Sequence, residues 1–282
     1  MASAAVAALK ATRVLVLHGF TQNGTIFRKR LGALRKQCGK DVDFYFFDAP
    51  IVLHPVDLST FAANPQASLE ALKSVDDPSA TPRAWWRAND ERTRAFGLEI
   101  TLERLRDLLK REKFDGVLGF SQGAACAALL SALLEKPHVY PPFLVEGKSP
   151  HPPFEFCVAI SGFRLHDPLA DQIFGDSYST PTVHIIGRTD VIVSEERSQQ
   201  LVAVSANQRV EMHPGGHFFP SKRNWLQFLA DYLRDSKAEV PPPSAFNQDT
   251  DTPVTSAPGS GASTPYTTEA GGGVARTSPP KL

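Results

Sequence analysis

Short runs of β-branched or apolar residues alternate with longer amphipathic stretches along most of the chain. Residues 13–17, Arg-Val-Leu-Val-Leu, read as a buried strand ending at His18-Gly19, and residues 42–47 as a second strand ended by Asp48-Ala49-Pro50. Between them, residues 26–38 predict a single helix with a basic outer face, stopped by Gly39. Leu98, Leu102, Leu105 and Leu109 fall at the spacing of a helix that lays one face on a sheet. Residues 114–120 predict the next strand, and 123–135 an Ala/Leu helix that starts directly after it. Three more strands are expected at 156–160, 182–186 and 208–212. Trp225, Phe228, Leu229, Tyr232 and Leu233 give a closing helix its apolar stripe. Strands alternating with helices predict an α/β fold, a mostly parallel central sheet with helices on both faces.

Two stretches break the rhythm. Residues 51 to about 95 read as irregular, punctuated by Pro55, Pro65, Pro78 and Pro82. From residue 238 the composition changes to Pro, Ser, Thr and Gly, with Pro241-Pro242-Pro243 and Gly271-Gly272-Gly273. Apolar residues there are too sparse to offset the entropy of ordering. The expected organisation is one domain over residues 1–237 and a disordered tail over 238–282.

Charge and cysteines narrow the classes. Lys+Arg and Asp+Glu number 30 each, so a nucleic-acid binder, with its basic excess, is disfavoured. Cys38, Cys126 and Cys157 are odd in number, far apart and set in apolar stretches, which suits a reducing compartment better than a disulfide framework. No metal-ligand spacing such as C-x-x-C or H-E-x-x-H occurs, so neither metal nor cofactor is expected. The alanine-rich start lacks the basic region of a secretory signal, and no apolar run approaches the roughly 20 residues of a membrane span. A cytoplasmic protein is expected. The last residues, Pro280-Lys281-Leu282, are close to the Ser-Lys-Leu peroxisomal address, which makes that compartment the alternative.

The candidate chemistry centres on Gly119-Phe120-Ser121-Gln122-Gly123, between a predicted strand and a small-residue helix. A serine on such a turn holds its hydroxyl exposed at a helix N-terminus, while the glycines relieve crowding. The α/β-hydrolase arrangement then requires an acid and a histidine later in the chain, in that order. Asp190 follows the strand at 182–186 in Gly187-Arg188-Thr189-Asp190. Of the eight histidines, His54, His138, His151, His166 and His184 precede Asp190, and His213 sits at a strand end. His217, in Pro214-Gly215-Gly216-His217-Phe218, has both the order and the loop. Backbone amides must bind the oxyanion: Gln122 supplies one, and Phe20, with Thr21 as fallback, the other. His18 reads as a structural residue of that loop.

Five segments together resemble the FSH family of serine hydrolases: Leu17-His-Gly-Phe-Thr-Gln-Asn-Gly24, Gly119-Phe-Ser-Gln-Gly123, Ile160-Ser-Gly-Phe163, Gly187-Arg-Thr-Asp190 and Gly215-Gly-His-Phe218. They span about residues 13 to 235, and Trp85-Trp86 looks like a further family feature. The resemblance implies a small esterase or thioesterase without a large separate lid domain, with Ser121, Asp190 and His217 as its triad. Two features look like departures: the tail, and the proline-rich stretch 137–154, long enough to form a partial lid. Expected acyl-pocket walls are Phe61, Trp85, Trp86 and Phe218.

The leading expectation is therefore hydrolysis of acyl esters or thioesters through an acyl-enzyme. A thioesterase that unloads a polyketide or fatty acyl carrier protein is a narrower alternative. A non-catalytic binding protein on the same fold is an alternative of another class.

Overall fold

β1 (Thr12–Leu17) leads through α1 (Gly24–Arg30) and α2 (Gly32–Cys38) to β2 (Val42–Phe47). Four two-residue strands follow: β3 (Ile51–Val52), β4 (Arg83–Ala84), β5 (Arg87–Ala88) and β6 (Ala95–Phe96). Then come α3 (Leu98–Arg111), β7 (Gly116–Phe120), α4 (Gln122–Glu135), β8 (Phe156–Ile160) and α5 (Pro168–Phe174). The chain closes with β9 (Thr182–Gly187), α6 (Glu195–Ala203), β10 (Gln208–His213) and α7 (Arg223–Arg234). This computed structural model describes residues 10–54 and 81–247; Phe61 and the Pro280-Lys281-Leu282 end lie outside them.

The long strands form one six-stranded sheet, ordered β10-β9-β8-β7-β1-β2, with every neighbouring pair parallel. Side chains alternate between its faces as strand geometry demands. Leu15, Leu17, Val117, Cys157 and Ala159 join the core formed with α3, α4 and α5. Val14, Val16, Leu118, Val158 and Ile185 join the opposite core with α1, α2 and α7. From Gln122 to Leu134, α4 is buried on all sides, which explains why it carries no polar stripe. Strand order reverses beside β1, with β2 on one side and β7 on the other. In open parallel sheets a ligand crevice forms at such a switch point, outside the carboxyl ends of the strands. No helix among the described residues is long and apolar enough to cross a membrane.

Four local expectations are revised. The helix expected over 26–38 breaks at Leu31 (φ −83°, ψ 9°), where Gly32, a poor helix former, starts the second segment. In the stretch read as irregular, residues 55–80 lie outside the described residues; the described remainder holds two antiparallel ribbons, β3–β4 and β5–β6, too short to show a period. The stretch 137–154 is not a lid over the carboxyl ends of the strands. It follows the C-terminus of α4, about 21 Å from the helix start at 1.5 Å per residue. There Arg106 Nη1 donates to Pro142 O (2.9 Å), Lys113 Nζ to Pro150 O (2.9 Å), and the Phe114 amide to His151 Nε2 (3.0 Å). These bonds hold it at the amino end of β7. Finally, packed chain continues past residue 237: Val240 is buried, its carbonyl accepts from Arg209 Nη1 (2.8 Å), and Pro243–Asn247 forms a 3₁₀ turn.

Candidate active site

Ser121 sits between β7 and α4 with φ 53° and ψ −119°, a left-handed conformation that costs a non-glycine residue about 1–3 kcal/mol. Its amide donates to Ile160 O (2.8 Å), and its carbonyl accepts from Ala124 (2.9 Å) and Ala125 (3.1 Å). The flanking glycines are a steric requirement. A Cβ at Gly119 would lie 2.2 Å from the Gly123 carbonyl oxygen, and one at Gly123 would lie 2.2 Å from the Leu17 carbonyl oxygen. Only bare backbone lets the turn pass between β1 and the start of α4.

Asp190 leaves the end of β9 and is buried. Its Oδ1 accepts from the amides of Ile192 (2.9 Å) and Val193 (2.8 Å), and its Oδ2 lies 2.7 Å from His217 Nδ1. Burial alone would raise its pKa, but the hydrogen bond and charge of His217 and the two amides together hold it below the ordinary carboxylate value. An ionised Asp190 fixes the proton on His217 Nδ1. The lone pair of Nε2 then faces Ser121 Oγ, 2.9 Å away. The loop can deliver His217 because the end of β9 is bare: a Cβ on Gly187 would lie 2.6 Å from the carbonyl oxygens of both Gly215 and Gly216. The Phe120 ring packs against the imidazole at 5.0 Å. Three residues from three separate strand ends therefore meet in one hydrogen-bonded line.

On the oxyanion side, Phe20 and Gln122 both border a cleft of about 200 Å³ that Ser121 opens onto. The Gln122 amide is the first of α4 and has no acceptor within its own helix. Thr21 is eliminated as a donor, because its amide is spent on Arg83 O (3.0 Å). The Gln122 side chain has a separate task. Its Oε1 accepts from the Trp85 amide and its Nε2 donates to Trp86 O, both at 2.9 Å. His18 is buried, with Nε2 accepting from the Ala49 amide (3.0 Å) and Nδ1 against Gly19 O (2.8 Å). Burial pulls its pKa down to about 4, so it is a neutral clamp between two loops.

The expected walls divide. Trp86 lines the cleft opposite Phe163. Trp85 does not: it is fully buried, and its indole N–H donates to His18 O (2.8 Å). Phe218 also stays out of the lining; it is half exposed and packs on His213 at 5.1 Å. Phe61 lies outside the described residues. The lining also includes Phe163, Ile192, Val193 and Arg197, which sequence reasoning missed. Phe163 lay within a segment already noted, but nothing marked it as a wall. Among the described residues no group of three or more His, Cys, Asp or Glu side chains could hold a metal ion.

The parallel sheet, the serine turn between β7 and α4, and the Ser121–His217–Asp190 line define the class: an enzyme of the α/β-hydrolase fold. The family model for serine hydrolase (FSH1) matches residues 7–229, and the chain belongs to that family. Esterase OVCA2 of Danio rerio is 34% identical over 235 residues, covering 79% of this chain and 96% of its own length. An esterase of Drosophila melanogaster is 33% identical over 236 residues, covering 79% of this chain and 75% of its own. Among solved structures, Zea mays acyl-protein thioesterase 2 superposes with TM-score 0.52 at 19% identity, over 80% of this chain and 94% of that one, a likeness of fold. The chain is thus an esterase enzyme.

Proposed function

We propose that the chain hydrolyses carboxylic esters or thioesters of acyl chains through a covalent acyl-enzyme. The observation that carries this reading is the line Ser121 Oγ to His217 Nε2 (2.9 Å) and His217 Nδ1 to Asp190 Oδ2 (2.7 Å). His217 removes the Ser121 proton as the oxygen attacks the acyl carbonyl. Asp190 holds the imidazole tautomer and stabilises the imidazolium. The amides of Gln122 and Phe20 receive the oxyanion. His217 then returns the proton to the leaving alcohol or thiol, and water releases the acid by the same steps. Ser121 begins in its strained conformation, so no backbone rearrangement precedes attack.

A fluorophosphonate probe tests this directly. Wild-type protein should be labelled on Ser121, and Ser121→Ala should not react. A wild type that resists labelling while it cleaves 4-nitrophenyl butyrate would overturn the serine mechanism.

A further inference from the structure

The cleft that Ser121 opens onto is unusual in its charge. Arg92, Arg94, Arg164 and Arg197 line it together with His166, and no Asp or Glu is in the lining. The whole chain has no net charge, so this concentration is local. Among the described residues, Arg164 alone of the four has a carboxylate partner, Asp171 at 3.1 Å, and its own Nε is buried with no hydrogen-bond partner there. Arg197 makes no carboxylate pair among the described residues. Its guanidinium lies 4.6 Å from the Phe163 ring centroid, and Nη1 donates to Ile192 O (3.0 Å). The carboxylate Asp190 is committed to His217 and two amides.

The backbone that carries the other two arginines, both exposed, is fixed as well. Arg92 and Arg94 sit on the turn joining β5 to β6. Asn89 Oδ1 accepts from the amides of Thr93 (2.9 Å) and Arg94 (2.8 Å), and Arg92 has φ 57°. The Ala95 amide donates to Asp167 Oδ2 (3.0 Å), tying the ribbon to the segment that begins α5. Burial, and then the charge of Arg92, lower the pKa of Arg197, and the nearby charge of Asp190 only partly offsets them. Like charges gathered around one cleft, with Arg197 against the Phe163 ring and Arg92 and Arg94 exposed at its edge, favour an anion that can pair with several guanidinium N–H groups at once.

We propose that the substrate carries an anionic group, a carboxylate or a phosphate, that Arg92, Arg94 and Arg197 bind in this cleft while Ser121 attacks the acyl carbonyl. The proposal rests on the ester-hydrolase reading above and narrows its substrate class. A planar guanidinium suits both anions through paired N–H donors. The anion can belong to the acyl part, as in a half-ester of a dicarboxylic acid, or to the leaving group, as in a coenzyme A thioester.

The test compares two matched pairs on the full chain. Mono-4-nitrophenyl glutarate is set against 4-nitrophenyl butyrate, and butyryl coenzyme A against S-butyryl-N-acetylcysteamine. One pair should favour the anionic member in kcat/KM, and which pair does so locates the anion. In Arg197→Gln and Arg94→Gln that anionic-to-neutral ratio should fall about 10- to 100-fold, the range of one lost hydrogen bond to a charged group. Ratios near one in the wild type, or ratios the variants leave unchanged, overturn the proposal. A second readout does not need turnover. Ser121→Ala protein is titrated with glutarate and with adenosine 3′,5′-bisphosphate, followed by tryptophan fluorescence. Binding of one, abolished by Arg197→Gln, supports the proposal; binding of neither overturns it. If no ester is cleaved by the wild type, the Ser121 reading fails and the titration alone judges the arginines.

Discussion

Replacing Gln122 by Ala separates its backbone role from its side-chain role. The backbone amide proposed to bind the oxyanion survives, but the side chain that joins the Trp85 amide to the Trp86 carbonyl is lost. Both bonds are buried, and Trp85 and Trp86 are almost fully so. A buried donor or acceptor left unsatisfied costs about 1–3 kcal/mol, so two give roughly 2–6 kcal/mol. The space vacated is polar enough to admit a water that bridges the two groups, which places the expectation at about 2–4 kcal/mol. At about 2–4 °C per kcal/mol for a chain of this size, Tm should drop by roughly 5–15 °C. Urea denaturation followed by tryptophan fluorescence gives the free energy, and a calorimetric scan gives Tm. Gln122→Glu can still accept from Trp85 but turns an acceptor toward the Trp86 carbonyl, so at neutral pH it should be no more stable than Gln122→Ala. With Trp86 loosened in the cleft wall, KM should rise more than kcat falls. A Gln122→Ala protein within about 0.5 kcal/mol of wild type would refute the bridging role.

Gly123→Ala should lose more than about 3 kcal/mol or fail to accumulate as soluble protein, because the new Cβ meets the carbonyl oxygens of Leu17 and His18 at 2.2 and 2.4 Å. A urea midpoint equal to that of wild type would contradict the close approach. His184 is buried, Nε2 has no hydrogen-bond partner among the described residues, and burial lowers its pKa to about 4. It is neutral when folded and takes up a proton on unfolding below its ordinary pKa of 6.5, so its contribution is complete above pH 6.5 and is lost as pH falls toward 4. The stability of His184→Leu relative to wild type should therefore improve across that window by up to about 1.4 kcal/mol per pH unit, read from urea midpoints at several pH values. A difference that stays constant with pH would refute the neutral buried state.

Legibility in the sequence followed the reach of each signal. The six long strands and the buried helix could be read because their periods run for several residues. That Ser121, Asp190 and His217 would come together could be expected because the proposed chemistry demands a chain order and glycine-bearing loops, and Gly119, Gly187 and Gly216 mark places where backbone passes backbone. The break at Leu31 was hidden because the apolar pattern continues through it. Strands β3 to β6 have two residues each, too few for any alternation. Trp85 and Trp86 are adjacent and chemically identical, yet one is core and the other cleft wall; the fold decides which, through the Trp85 indole on His18 O and the bridge from Gln122. The cationic lining was invisible for a different reason. Arg92 and Arg94 come from a ribbon, Arg164 from the loop after β8 and Arg197 from α6, and their proximity is a product of the fold.

The stretch from Pro137 to Phe154 has a practical consequence. Its tip is a tight reversal, Val145 bridged to Lys148, with Glu146 and Gly147 exposed and both at positive φ. It hangs from the far end of α4, a helix length away from Ser121. An affinity handle or a tether to a solid support grafted at Glu146-Gly147 would orient the molecule with its substrate entrance facing the medium. The same spot would accept a fluorophore whose signal is independent of cleft occupancy.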